Sequence, residues 1–151
     1  MSSKILVSLD SSDIGETVLP HVLELAKGLK LGVTIFQVIA PGIHVHTTGG
    51  LDYIHFTEQQ IASTKASAKQ YLEEVSKKFK ETKATVRFEL KFGDPAEEII
   101  KFASETDTHL VAMSTHGHSS IGRWTFGSIT HKVLHSGNAH VLLVRAPEAK
   151  T

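Results

Sequence analysis

Lys4-Ile5-Leu6-Val7-Ser8-Leu9 is a short apolar run rich in branched residues, and it is stopped at once by Asp10-Ser11-Ser12-Asp13, a block of turn and N-cap residues. A run of this length bounded by such a block reads as a strand buried on both faces. From about Gly15 the period changes. Val18, Leu19, Val22, Leu23, Leu25, Ala26 and Leu29 recur at three- and four-residue spacing, the stripe of an amphipathic helix, until Lys30-Leu31-Gly32 closes it.

The same change of period repeats down the chain. Val33 to Ile39 predicts a second strand, stopped by Pro41-Gly42, and Thr57 to Glu81 a long amphipathic helix through Ile61, Ala68, Tyr71, Leu72, Val75 and Phe79. Ala84 to Phe92 alternates, with Val86, Phe88, Leu90 and Phe92 on one side and Thr85, Arg87, Glu89 and Lys91 on the other, which predicts an edge strand with one wet face. Asp94-Pro95-Ala96-Glu97 is a capping arrangement ahead of the helix that carries Ile99, Ile100 and Ala103. His109 to Ser114 predicts the fourth strand, Ser128 to Ser136 a helix closed by Gly137, and His140 to Val144 the fifth strand. Residues 40–56 fit neither period and are read as a flexible loop.

Five strands in alternation with four helices predict an α/β fold. It is an open five-stranded parallel sheet, doubly wound and Rossmann-like, with strand order 3-2-1-4-5 and helices on both faces. A ligand crevice is then expected at the carboxyl ends of the strands, where the winding reverses. No internal repeat, low-complexity tract or linker divides the sequence, so residues 1–151 read as a single domain.

Composition narrows the function. Sixteen Lys and Arg balance sixteen Asp and Glu with no block of like charge, which disfavours a nucleic-acid partner. The absence of cysteine excludes disulfides, thiolate zinc sites, iron–sulfur clusters and a cysteine nucleophile. No apolar stretch approaches the roughly 20 residues of a bilayer crossing, and the opening run is too short for a signal-peptide core. The expectation is a cytoplasmic protein with no membrane association.

The chemistry-bearing segment follows the fourth strand: Ser114-Thr115-His116-Gly117-His118-Ser119-Ser120-Ile121-Gly122-Arg123-Trp124-Thr125-Phe126-Gly127-Ser128. Gly117 permits a sharp turn at the strand end. Gly127-Ser128 opens a helix, where unpaired N–H groups and the positive end of the helix dipole favour an anion. The pattern Ser114-x-x-Gly117, nine residues, Gly127-Ser128 resembles the ATP-binding signature of the universal stress protein family, Gly-x-x-Gly, nine residues, Gly-Ser or Gly-Thr. The resemblance spans nearly the whole chain, through Asp10, Val38, Gly93-Asp94-Pro95 and the closing Val141-Leu142-Leu143-Val144. Ser114 departs from the signature, which has glycine there.

The resemblance implies a nucleotide site. Asp10 would hydrogen-bond the adenine or ribose side, and Val38 would pack against the base. Ser114, Thr115, His116 and Gly117 would line the ribose and phosphates, and Gly127, Ser128 and the amide of Ile129 would hold the terminal phosphates of ATP, with Mg²⁺ or Mn²⁺ alongside. It also implies a homodimer formed through Val141 to Val144 and a role as a nucleotide-dependent switch in the stress response. On the residues alone, Asp10 reads equally as a helix cap and Val38 as core. Two alternatives stand beside this reading: a nucleotide-free homodimeric interaction module in which Ser114 blocks ATP, and a slow ATPase.

Other chemistries find less support. Ser128 or Ser114, His116 or His131, and Asp10 can be written as a triad, but no Gly-x-Ser-x-Gly elbow is present. No Gly-x-x-x-x-Gly-Lys-Ser/Thr loop is present either, so no lysine or general base is placed to turn over a γ-phosphate. Ten histidines include His44-x-His46, His116-x-His118 and His131-x-x-x-His135. The last pair shares one helix face, but Lys132 stands where a zinc-protease helix has glutamate and no third ligand is placed, so the sequence assigns no metal ligand.

Overall fold

The computed structural model describes residues 3–115 and 127–147. β1 (Ser3–Ser8) leads through a 3₁₀ turn (Gly15–Val18) into α1 (Leu19–Gly28), and β2 (Leu31–Ile39) follows. β3 (Gly42–Thr47) and β4 (Gly50–His55) precede α2 (Glu58–Lys77), β5 (Thr85–Phe92) and α3 (Pro95–Glu105). β6 (Leu110–Ser114), α4 (Ser128–His135) and β7 (His140–Val144) complete the described elements.

The main sheet has five strands in the order β5-β2-β1-β6-β7, all parallel. Leaving the β3–β4 pair aside, this is the predicted order 3-2-1-4-5, with β5 at one edge as its alternation implied. Because successive side chains of a strand point to opposite faces, a central parallel strand must be apolar throughout. In β1, Ile5 and Val7 enter a core with Val18, Leu19, Val22 and Ala26 of the first helical segment and Leu72 and Val75 of α2. Leu6 enters the opposite core with Phe36, Ala96, Ile99, Phe102 and Val133, the layer under α3 and α4. The Phe36 and Phe102 rings meet there at a centroid distance of 4.9 Å.

The helix starts follow the chemistry at their caps. Thr57 and Gln60 form a reciprocal capping box on α2: Gln60 N donates to Thr57 Oγ1 at 3.1 Å, and Thr57 N donates to Gln60 Oε1 at 2.8 Å. The Asp94 carboxylate accepts the amide of Glu97 at 3.0 Å, and Pro95 opens α3.

Two expectations are corrected. Leu31 and Gly32 belong to β2, paired with Ser3 and Lys4, and α1 ends at Gly28. Leu31 is buried where a helix-closing residue would be exposed. The larger correction concerns residues 40–56, which form an antiparallel hairpin, registered from Gly42↔His55 to Thr47↔Gly50. Its turn is Thr48-Gly49, and Gly50 follows at φ 121°. Thr47 Oγ1 donates to Asp52 Oδ2 at 2.9 Å and accepts from Gly49 N at 3.3 Å, which fixes the turn. At the open end Tyr53 lies over Gly42, where a Cβ would fall 2.8 Å from the ring. Ile43, Leu51, Tyr53 and Ile54 are all exposed, so no buried face reveals the strands in the sequence.

Candidate functional site

Winding reverses between β1 and β6, so their carboxyl ends and that of the neighbouring β2 frame the crevice expected of this topology. At the β1 end Asp10 Oδ1 accepts the backbone amide of Ser12 at 3.0 Å and also the Ser12 hydroxyl, an Asx turn. Ser12 Oγ in turn accepts the amide of Gly15 at 3.0 Å. Gly15 is buried against this carboxylate: a Cβ there would stand 2.5 Å from Asp10 Oδ1. Asp10 therefore shapes the turn at the rim of the crevice and caps neither the 3₁₀ helix nor α1, whose N-cap residues are Ile14 and Val18.

Ser11 sits between them at φ 67° and donates its hydroxyl to Oε1 of Gln37 at 3.1 Å. Gln37 is a buried amide two residues before the end of β2. Neither residue was singled out in the sequence; Gln37 interrupts an otherwise apolar strand, which is the signal that marks it. Val38, the residue implied to meet a base, is partly buried and packs against the core under α3 and α4.

At the β6 end Ser114 and Thr115 are both buried. Thr115 is a clasp. Its amide donates to the carbonyl of Val144 at the end of β7, 2.9 Å away, and its carbonyl accepts the amide of Gly127 at 3.1 Å. Its hydroxyl accepts the amide of Ala146 at 3.0 Å. Thr130 Oγ1 reaches back from the first turn of α4 to the carbonyl of Ser114 at 3.2 Å. These bonds fasten the amino terminus of α4 to the end of the sheet. Gly127, the N-cap, has no side chain with which to cap the helix, and Ser128 is exposed. The N-cap residue of α4 thus offers no side chain to its first-turn amides, whereas Thr57 and Asp94 each accept one such amide in α2 and α3.

The structure therefore brings Ser114, Thr115, Gly127, Ser128 and Ile129 to one end of β6, with Asp10 at the adjacent end of β1. His116 and Gly117 lie outside the described residues. Thr130 and Ala146 were missed, since a threonine in a helix and an alanine after a strand carry no sequence signal of the contacts they make.

Below the β1 end, Tyr71 of α2 approaches the 3₁₀ turn. Burial, and then the negative charge of Glu16 with Asp10 and Asp13 behind it, holds the Tyr71 phenol well above its ordinary pKa. The Tyr71 hydroxyl is buried, and among the described residues no group meets it at hydrogen-bond geometry. Glu16 is bridged on its other side by Lys78 at 3.2 Å.

An open, doubly wound α/β sheet with a glycine-led helix at its switch point defines the class: a Rossmann-like α/β protein whose crevice lies at the carboxyl ends of its strands. A family model, that of the universal stress protein family, matches residues 1–145, and the chain belongs to that family. Among curated relatives, universal stress protein YxiE of Bacillus subtilis is 29% identical over 149 residues, covering 96% of this chain and 100% of the relative. Among solved structures, that of MJ0577 superposes with a TM-score of 0.80 at 24% identity, covering 99% of both chains. A universal stress protein in complex with cAMP superposes at 0.69 with 18% identity, covering 97% of this chain and 98% of that one. One from Archaeoglobus fulgidus in complex with dAMP superposes at 0.62 with 19% identity, covering 95% and 97%.

Proposed function

We propose that this chain is an adenine-nucleotide-binding regulatory protein of the stress response, holding ATP at the carboxyl ends of β1, β2 and β6 and acting as a nucleotide-dependent switch. The observation that carries the reading is the Thr115 clasp, which sets the glycine-led amino terminus of α4 beside the end of β6. In this reading Gly127, Ser128 and the amide of Ile129 take the terminal phosphates, with Ser114, Thr115, His116 and Gly117 along the ribose and phosphates. Asp10 takes the adenine or ribose side, and Val38 the base. The cAMP and dAMP complexes of other family members support an adenine nucleotide as the ligand class.

Among the described residues no three His, Asp or Glu side chains are grouped to hold a metal ion. The Mg²⁺ or Mn²⁺ of this reading accompanies the nucleotide's phosphates, which suits a hard cation that keeps its waters. Among the described residues no helix is long and apolar enough to cross a membrane.

The test is mass spectrometry of small molecules released on denaturing freshly purified protein, with calorimetric titration of MgATP into the stripped protein. Co-purified adenine nucleotide, or a binding heat lost in Gly127→Val, is the expected result. Neither nucleotide nor heat, with the fold intact, refutes it.

A second reading, a homodimeric interaction module, is favoured by β7. This edge strand has Val141 and Leu143 toward one core and Leu142 and Val144 toward the other, all only partly buried. An apolar edge strand of this kind is a surface for a twofold mate. Sedimentation of wild type and Leu143→Lys tests it, with a dimer dissociated by the substitution as the supporting outcome and a monomeric wild type as the refuting one.

A further inference from the structure

The four-residue spacing of His131 and His135 says only that they share a helix face; the structure adds how near their rings come. The two imidazole centroids lie 4.4 Å apart with an interplanar angle of 47°, and both residues are exposed on α4. The helix is regular through both, with His131 N donating to the Gly127 carbonyl at 3.0 Å and Ser136 N to the Lys132 carbonyl at 2.9 Å. A metal–nitrogen bond is about 2.0–2.1 Å, and two imidazoles at 90–109° about one ion then have centroids roughly 4.5–5 Å apart. The observed centroid separation of 4.4 Å is close to that value.

We propose that His131 and His135 form a bidentate chelating site for a borderline transition-metal ion, Cu²⁺, Ni²⁺ or Zn²⁺. Among the described residues no third His, Cys, Asp or Glu is grouped with the pair. Lys132, adjacent in sequence, does not aim its ammonium at the site: it is engaged with Glu97 at 3.3 Å and Asp94 at 3.6 Å across the α3–α4 interface. Imidazole pairs select such ions over Mg²⁺ and Ca²⁺, which require oxygen ligands. The site is therefore chemically separate from any cation that accompanies a nucleotide.

The test is calorimetric titration of CuSO₄, NiCl₂ and ZnCl₂ into the nucleotide-free protein in a non-coordinating buffer, with the histidine ring resonances followed by NMR during the Zn²⁺ titration. The expected result is one tightest site per chain, with Cu²⁺ bound more tightly than Ni²⁺ or Zn²⁺, and first perturbation of His131 and His135. His131→Ala and His135→Ala should each weaken that site by about tenfold or more, and His44→Ala should leave it unchanged. Adding Ser136→His to His135→Ala moves the second imidazole off the shared face and should not restore binding. Full affinity in His131→Ala, or first perturbation at other histidines, overturns the proposal. Circular dichroism of each exposed-site variant separates lost ligation from lost fold.

Discussion

The carbonyl of Thr115 accepts the amide of Gly127 at 3.1 Å, while the hydroxyl of the same threonine accepts the amide of Ala146 at 3.0 Å. One residue thus ties the start of α4 to the end of β6 and ties both to the chain leaving β7. Removing the hydroxyl strands a buried amide, which costs about 1–3 kcal/mol. Thr115→Val is expected to lower stability by that amount, and Thr115→Ser to recover most of it, in urea unfolding of the two variants beside wild type. Equal midpoints for Thr115→Val and wild type would show that Ala146 finds another acceptor.

Ser114 stands where the family signature has glycine, and its side chain is buried at the strand end. If the hydroxymethyl group is accommodated there, Ser114→Gly leaves ATP affinity within about threefold of wild type, under ~1 kcal/mol. The same substitution lowers stability by roughly 0.5–1 kcal/mol through the extra freedom of glycine in a strand. Calorimetry and thermal melts measure the two effects separately. An affinity gain of tenfold or more would mean that Ser114 obstructs the nucleotide, and would favour the interaction module.

Gly15 gives the Asp10 turn its room. A methyl group there would meet Asp10 Oδ1 at 2.5 Å and Ser12 Oγ at 3.1 Å, so Gly15→Ala must displace the carboxylate. The expected outcome is a loss of ATP affinity of about tenfold, or 1.4 kcal/mol. Gly28→Ala is the control: among the described residues nothing beyond its own helix and chain neighbours lies within 4 Å of its Cβ position, and the change should leave affinity unchanged while stabilising α1 slightly.

Tyr71 predicts an alkaline limit to stability. Its folded pKa is raised, so above the ordinary tyrosine value near 10 the unfolded chain loses a proton that the folded chain retains. The unfolded state then binds fewer protons, and stability falls as pH rises past that value; the contribution is fully present below it. Tyr71→Phe removes this loss. At neutral pH it is expected to be neutral or mildly stabilising, because among the described residues no group meets the buried hydroxyl at hydrogen-bond geometry. Urea unfolding of both proteins from pH 8 to 11 checks the difference; parallel curves would count against it.

How far the sequence carried depended on where each element buries its side chains. β1 and β6, with the apolar centres Ile5-Leu6-Val7 and Leu110-Val111-Ala112-Met113, read as central strands, and the cap at Asp94 follows from which side chains accept hydrogen bonds from backbone amides. Order and winding followed from connection rules that need no coordinates. The hairpin escaped because its regularity lies in backbone pairing. Ile43, Val45 and Thr47 alternate with His44 and His46, yet neither face is buried, and hydrophobic periodicity reports burial only. At the site, glycines and a resemblance singled out Ser114 and Gly127-Ser128. The Ser11–Gln37 bond and the Thr115–Ala146 bond join residues 26 and 31 positions apart, and no local pattern announces such pairs.

The β3–β4 hairpin has a practical consequence. Its pairing closes on itself, and its two-residue tip, Thr48-Gly49, is exposed and lies outside the five-stranded sheet. A foreign segment spliced between these residues would interrupt neither core nor any ladder of the main sheet. The tip is therefore a natural attachment point for a fluorophore or an affinity tag.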